Sequence, residues 1–72
     1  YIGQTSDANG LKTSDSAYTH TITFETSGDA NVQSQGKAYL RYNATSGQTR
    51  FRYYKSSTYT AQKAIQLYKL VE

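Results

Sequence analysis

The chain has no cysteine, no methionine and no proline, and only one histidine. Without cysteine, thiol chemistry and structural zinc of the cysteine type are excluded. Disulfides, which many small extracellular domains rely on, are excluded as well. The same absence fits an oxidising or a reducing compartment and does not choose between them. With no proline, no candidate strand is interrupted. With no methionine, the opening Tyr1-Ile2-Gly3 does not read as a translation start. The expectation is that a leader has been removed or that the chain is a piece of a longer protein. There is no apolar run of signal-peptide or membrane-spanning length, so any targeting signal is expected upstream.

Known site patterns are scarce as well. No glycine loop precedes a helix in the way that cradles phosphate, and no calcium-loop spacing occurs, so cofactors and metals are not expected. His20 sits inside the alternating run Tyr18-Thr19-His20-Thr21-Ile22 with no nucleophile pattern near it. A general base needs such a partner, so His20 reads as a hydrogen-bonded strand histidine. Asp7, Asp15 and Asp29 lie near turn signals, where aspartate bonds local backbone. The chain is therefore expected to have no catalytic activity of its own.

What is present is hydroxyl, tyrosine and unevenly placed charge. The 72 residues include eight tyrosines, and ten threonines stand beside eight serines. Few charges among many hydroxyls and tyrosines is a composition common in secreted or surface-attached bacterial β modules. Residues 1–29 hold four carboxylates against Lys12, a balance of −3, whereas residues 30–72 hold seven cations against Glu72, a balance of +6. The basic half fits an acidic partner such as an anionic polysaccharide or nucleic acid. Equally, the two halves can offset each other within the fold.

The length allows one domain, which buries only ~60% of its unfolded surface. Its periodicity is that of strands. Tyr18, His20, Ile22 and Phe24 alternate with Thr19, Thr21, Thr23 and Glu25. Turn signals recur at Asn9-Gly10, Ser27-Gly28-Asp29, Gln35-Gly36 and Thr45-Ser46-Gly47-Gln48. Strands are expected over 1–4, 11–13, 17–26, 30–34, 38–43, 49–55 and 64–71, with 56–63 a polar loop. Helix over 60–70 is the alternative for the last segment. The architecture expected is all-β, a small antiparallel sandwich or barrel of six to seven short strands. Tyr18, Ile22, Phe24, Val32, Leu40, Tyr42, Phe51, Tyr53, Ile65 and Leu67 are the expected inward residues.

The 38–55 segment carries the sharpest constellation. If Thr45 to Gln48 joins its two strands, Leu40 faces Tyr53 and Tyr42 faces Phe51 on the core side. Tyr39 then faces Tyr54, and Arg41 faces Arg52, on the outer side, with Arg50 at the edge. Opposed arginines are unfavourable in a sheet, and a neighbouring carboxylate or a bound anion would relieve them. Rings beside guanidinium groups suit sugar faces, nucleobases, carboxylates or phosphates. The competing reading is a solvated face on which arginine stems shield the tyrosines.

Three phrases, Tyr39-Leu40-Arg41-Tyr42-Asn43, Arg50-Phe51-Arg52-Tyr53-Tyr54-Lys55 and Ile65-Gln66-Leu67-Tyr68-Lys69, occur in this order. Thr21-Ile22-Thr23-Phe24 followed by Gly28-Asp29-Ala30-Asn31 extends the pattern. Together they resemble a small β module found at the extreme C-termini of large secreted or surface proteins of gut Bacteroidetes and Firmicutes. Extracellular nucleases, other hydrolases and many uncharacterised proteins are among its parents. The resemblance implies a C-terminal, non-catalytic accessory module and brings no established ligand or functional residue with it. Three roles follow as expectations: glycan binding through the aromatic and basic face, nucleic-acid binding, or a structural cap that contacts other domains of its parent.

Overall fold

The computed structural model describes residues 1–68. Strands β1 (Ile2–Gly3) and β2 (Lys12–Thr13) form a two-stranded antiparallel ribbon. Strands β3 (His20–Phe24), β4 (Ala30–Ser34), β5 (Tyr39–Asn43) and β6 (Arg50–Tyr54) form a four-stranded antiparallel sheet in sequence order. Among the described residues the one helical element is a 3-10 turn, Tyr59–Ala61. The fold is thus the small all-β antiparallel type that the alternation predicts. No helix among the described residues is long and apolar enough to cross a membrane.

Two corners fall where glycine allows a left-handed backbone. Gly28 has φ 93° and donates to Glu25 C=O; Gly47 has φ 82°, where Gln48 N–H closes a turn onto Thr45 C=O. The β4–β5 corner works differently. Lys37, not Gly36, takes the positive φ of 83°. Gly36 is required for another reason: a Cβ there would run into the backbone of Thr5 and Ser6. Asn9-Gly10 is not the tight hairpin expected of it. The β1–β2 loop runs from Gln4 to Leu11, and Gly10, at φ 149°, pairs reciprocally with Tyr53 on the outer edge of β6.

The segment expected to be a strand over 64–71 plays a smaller part. Its residues 69–71 lie outside the described residues. Strands β4 and β5 pair through Gln33 and Tyr39 next to their turn and then splay apart. Residues 63–65 fill the gap: Ala30 N–H donates to Ile65 C=O, and Lys63 exchanges both backbone bonds with Tyr42. A short wedge of this kind satisfies backbone groups that splaying would leave bare. The helical alternative over 60–70 is realised only as the 3-10 turn that ends at Ala61. Similarly, β3 is five residues long rather than spanning 17–26, because β4 offers partners only from Ala30 to Ser34.

The four-stranded sheet curls. His20 on β3 and Tyr53 on β6 project from the same face, and their rings lie 5.8 Å apart between centroids. Three flat strand spacings would separate these strands by ~14 Å, so the outer strands must bend toward each other. One buried apolar cluster consists of Ala30, Val32 and Ile65, with Leu40 and Tyr42 packed against it. Ala38, Tyr53 and Tyr54 are the other buried apolar residues, alongside buried Gln4, Ser34 and Asn43.

Four expected core residues are corrected. Ile22, Phe24, Phe51 and Leu67 are exposed, at 49%, 66%, 59% and 46%. Their alternation is real, but among the described residues the buried cluster of Ala30, Val32 and Ile65 takes in only Leu40 and Tyr42 beside it, and these four side chains lie outside it.

Candidate functional site

The β5–β6 register is the one predicted: Tyr39↔Tyr54, Leu40↔Tyr53, Arg41↔Arg52, Tyr42↔Phe51 and Asn43↔Arg50. Tyr39, Arg41, Arg50, Arg52 and Tyr54 therefore share one face, with the two central arginines opposite each other. Tyr54 does not belong to a solvent-facing patch, however. It is 5% exposed, and its hydroxyl has no hydrogen-bond partner among the described residues. The chain turns back at Lys55, where Thr58 and Tyr59 N–H both donate to Lys55 C=O, and this lays Tyr59 over that end of the face.

Tyr59 occupies much of what the patch would offer a ligand. Its ring stacks on Tyr39 at 4.0 Å and 23° between planes, and the Arg41 guanidinium sits 4.8 Å from its centroid. Arg41 also donates to Asn31 Oδ1 at 3.4 Å, while Asn31 Nδ2 donates to Glu25 Oε1 at 2.7 Å. The opposed arginines thus gain a carboxylate from the neighbouring hairpin through one amide relay. Arg41 and Arg52 are half-buried, and Arg50 is exposed. Sequence reasoning missed Tyr59, although it is the one aromatic in the polar stretch 56–63.

Exposed aromatic surface lies instead on the opposite face. An open cleft of about 350 Å³ is lined by Tyr42, Phe51, Lys63, Ala64, Ile65, Gln66 and Tyr68. Tyr42 and Phe51 meet at 4.9 Å with planes tilted by 55°. Tyr68 is 85% exposed, and its hydroxyl donates to Gln66 Oε1 at 2.6 Å. Gln66 Nε2 in turn donates to Asp29 Oδ1 at 3.3 Å. Three aromatic rings beside Ala64 and Ile65, with an amide and one ammonium group, give a mostly apolar lining with a few polar groups, the usual make-up of a small-molecule site. Of the expected core residues that line it, Ile65 is buried and Tyr42 packs against the core, while Phe51 is left as an open wall, which no local sequence signal distinguishes from a buried face.

His20 has both ring nitrogens engaged. Nδ1 lies 3.1 Å from Tyr18 C=O, and Nε2 lies 2.6 Å from the Tyr53 hydroxyl. A carbonyl can only accept, so the network assigns the proton to Nδ1 and makes Tyr53 the donor to Nε2. The histidine is a structural cross-link between the first and fourth strands of the sheet. Among the described residues no group of three His, Cys, Asp or Glu side chains is arranged to hold a metal ion.

Asp7 is likewise structural. It accepts from the Ser56 hydroxyl and, at 2.6 Å, from the Ser56 N–H, and these bonds hold its carboxyl below its ordinary value. Asn9 Oδ1 accepts from Lys55 N–H at 3.0 Å. Loop 7–10 thereby stitches the outer edge of β6 and the residues that follow it.

No protein-family model, curated protein or solved structure matches the chain.

Proposed function

We propose that the chain is a non-catalytic accessory module of a secreted or surface protein and that it binds a glycan. The observation that carries this reading is the open cleft, with Tyr42, Phe51 and Tyr68 as its aromatic surface and Gln66 and Lys63 as its polar groups. Pyranose rings present apolar C–H faces flanked by hydroxyls. An aromatic floor with a few polar groups at its rim complements both features. The engaged nitrogens of His20 support a module without its own hydrolytic chemistry. The resemblance of the C-terminal phrases to modules of surface proteins and extracellular hydrolases supports the setting.

One observation favours a second reading. Arg41, Arg50 and Arg52 share the opposite face, and Arg41 is already laid over an aromatic ring. Such a stripe suits a phosphate backbone, so the alternative is a nucleic-acid-binding accessory module.

A screen of polysaccharides and oligonucleotides at two salt concentrations separates the two. Neutral-glycan binding in the cleft is expected to change little with salt, to be lost in Phe51→Ala and to persist in an Arg41→Ala/Arg52→Ala double variant. Nucleic-acid binding would fall steeply with salt and fail in the double variant. Binding of neither class by the folded chain would leave the structural-cap role and refute both.

A further inference from the structure

The four-stranded sheet has two outer edges, and they differ. Loop 7–10 covers the edge at β6, through the Gly10–Tyr53 backbone pair and the Asn9–Lys55 and Asp7–Ser56 bonds. No backbone pairing covers the edge at β3 among the described residues: its one strand neighbour is β4, and no isolated bridge reaches it. Bare edges are normally protected by lysine, proline, a bulge or a covering loop. From Tyr18 to Thr26 this chain has no lysine, arginine or proline.

Backbone geometry shows which groups face outward. Glu25 N–H donates to Asp29 C=O, so the 25/29 pair is a bonded one. Stepping by two along the register, Thr23↔Asn31 and Thr21↔Gln33 are the bonded pairs toward β4. Ala30, partner of Phe24, sends its N–H the other way, to Ile65. His20, Ile22 and Phe24 therefore direct their N–H and C=O groups to the open edge. Ile22 and Phe24 also leave their side chains largely exposed, at 49% and 66%.

We infer that β3 is the interface of a symmetric dimer, in which the β3 strands of two copies pair antiparallel about a two-fold axis at Ile22. The sequence is self-complementary in this register. Ile22 meets its own counterpart, His20 meets Phe24 of the second copy, Thr21 meets Thr23, and Thr19 meets Glu25. No like charges oppose each other anywhere along the pairing. The register also brings together the three outward-facing residues of each copy, giving about six backbone bonds and one continuous eight-stranded sheet. Threonines pair on one face; Ile22, Phe24 and His20 pair on the other, as cross-strand neighbours that favour sheets. A two-fold contact of this kind closes on itself and does not propagate into a fibre.

Sedimentation equilibrium over micromolar to millimolar concentration tests the inference, alongside amide hydrogen exchange at the two extremes. The expected species has twice the chain mass of 8.1 kDa. Protection that grows with concentration is expected at the His20, Ile22 and Phe24 amides. Ile22→Lys sets two ammonium groups against each other at an exposed position and is expected to weaken association by at least ~100-fold, with the circular dichroism spectrum unchanged. As a check independent of that site, Thr21→Lys/Thr23→Lys should be monomeric alone and should pair with Thr21→Glu/Thr23→Glu on mixing. A chain that stays monomeric to millimolar concentration overturns the inference. So does a dimer indifferent to Ile22→Lys, or one whose protected amides lie elsewhere.

Discussion

Tyr53 and Tyr54 are neighbours in sequence, both buried, and predicted to respond to the same substitution in different ways. Tyr53 is fully buried, and its hydroxyl donates to His20 Nε2 at 2.6 Å, tying β6 to β3 across the curl of the sheet. Removing that hydroxyl leaves an acceptor nitrogen without its partner in a half-buried site. The cost of such a loss is ~1–2 kcal/mol. Tyr54 has its hydroxyl buried with no partner among the described residues. Deleting an unsatisfied polar atom removes a desolvation penalty, so Tyr54→Phe is expected to be neutral or to stabilise by up to ~1 kcal/mol. In a domain of this size 1 kcal/mol corresponds to ~4–8 °C in Tm. Thermal and urea unfolding of the two variants in one buffer should therefore show Tyr53→Phe melting ~4–15 °C below the wild type. Tyr54→Phe should melt at or above it. Equal losses in both variants, or a loss greater than ~1 kcal/mol in Tyr54→Phe, would refute the assignment of one satisfied and one orphaned hydroxyl.

Three further outcomes follow from the packing. Phe51→Ala should cost less than ~1.5 kcal/mol by urea unfolding, well under the ~3–5 kcal/mol of a buried phenylalanine, because the ring is 59% exposed. Gly36→Ala should cost more than ~2 kcal/mol, since the added methyl meets the Thr5 and Ser6 backbone; Gly47→Ala, with open space around it, should cost only the ~1–2 kcal/mol of its left-handed φ. Asp7 is held below its ordinary value by Ser56, so its contribution to stability is present above the unfolded-state value and is lost as pH falls through the folded one. The gap in unfolding midpoint between wild type and Asp7→Asn should be open at neutral pH and close below pH ~4.

The β5–β6 register was legible because, with Thr45 to Gln48 taken as the connecting loop, it sets Leu40 opposite Tyr53 and Tyr42 opposite Phe51; alternation alone also admits a two-residue shift. Burial was legible in part: Val32, Tyr53 and Ile65 are buried as expected, whereas Ile22, Phe24 and Phe51 are exposed. Period two says that Ile22, Phe24 and Phe51 share a face, but not whether anything lies on that face. Residues 63–65 enter the sheet by backbone pairing with Ala30 and Tyr42, and Ile65 is the residue of that segment that joins the buried cluster. Tyr54 erred in the opposite direction: its position on the arginine face was right, and the return of the chain through Tyr59 buried it. The candidate site moved for the same reason. Tyr59 occupies the aromatic and basic face, and the uncovered apolar face becomes the cleft.

A two-dimensional NMR titration of the chain with the best-binding oligosaccharide decides whether a glycan is held in the cleft. Shift changes are expected to concentrate at Tyr42, Phe51 and residues 63–66, with Arg41 and Arg52 unmoved. Changes centred on Arg41, Arg50 and Arg52, or none at saturating ligand, would contradict it.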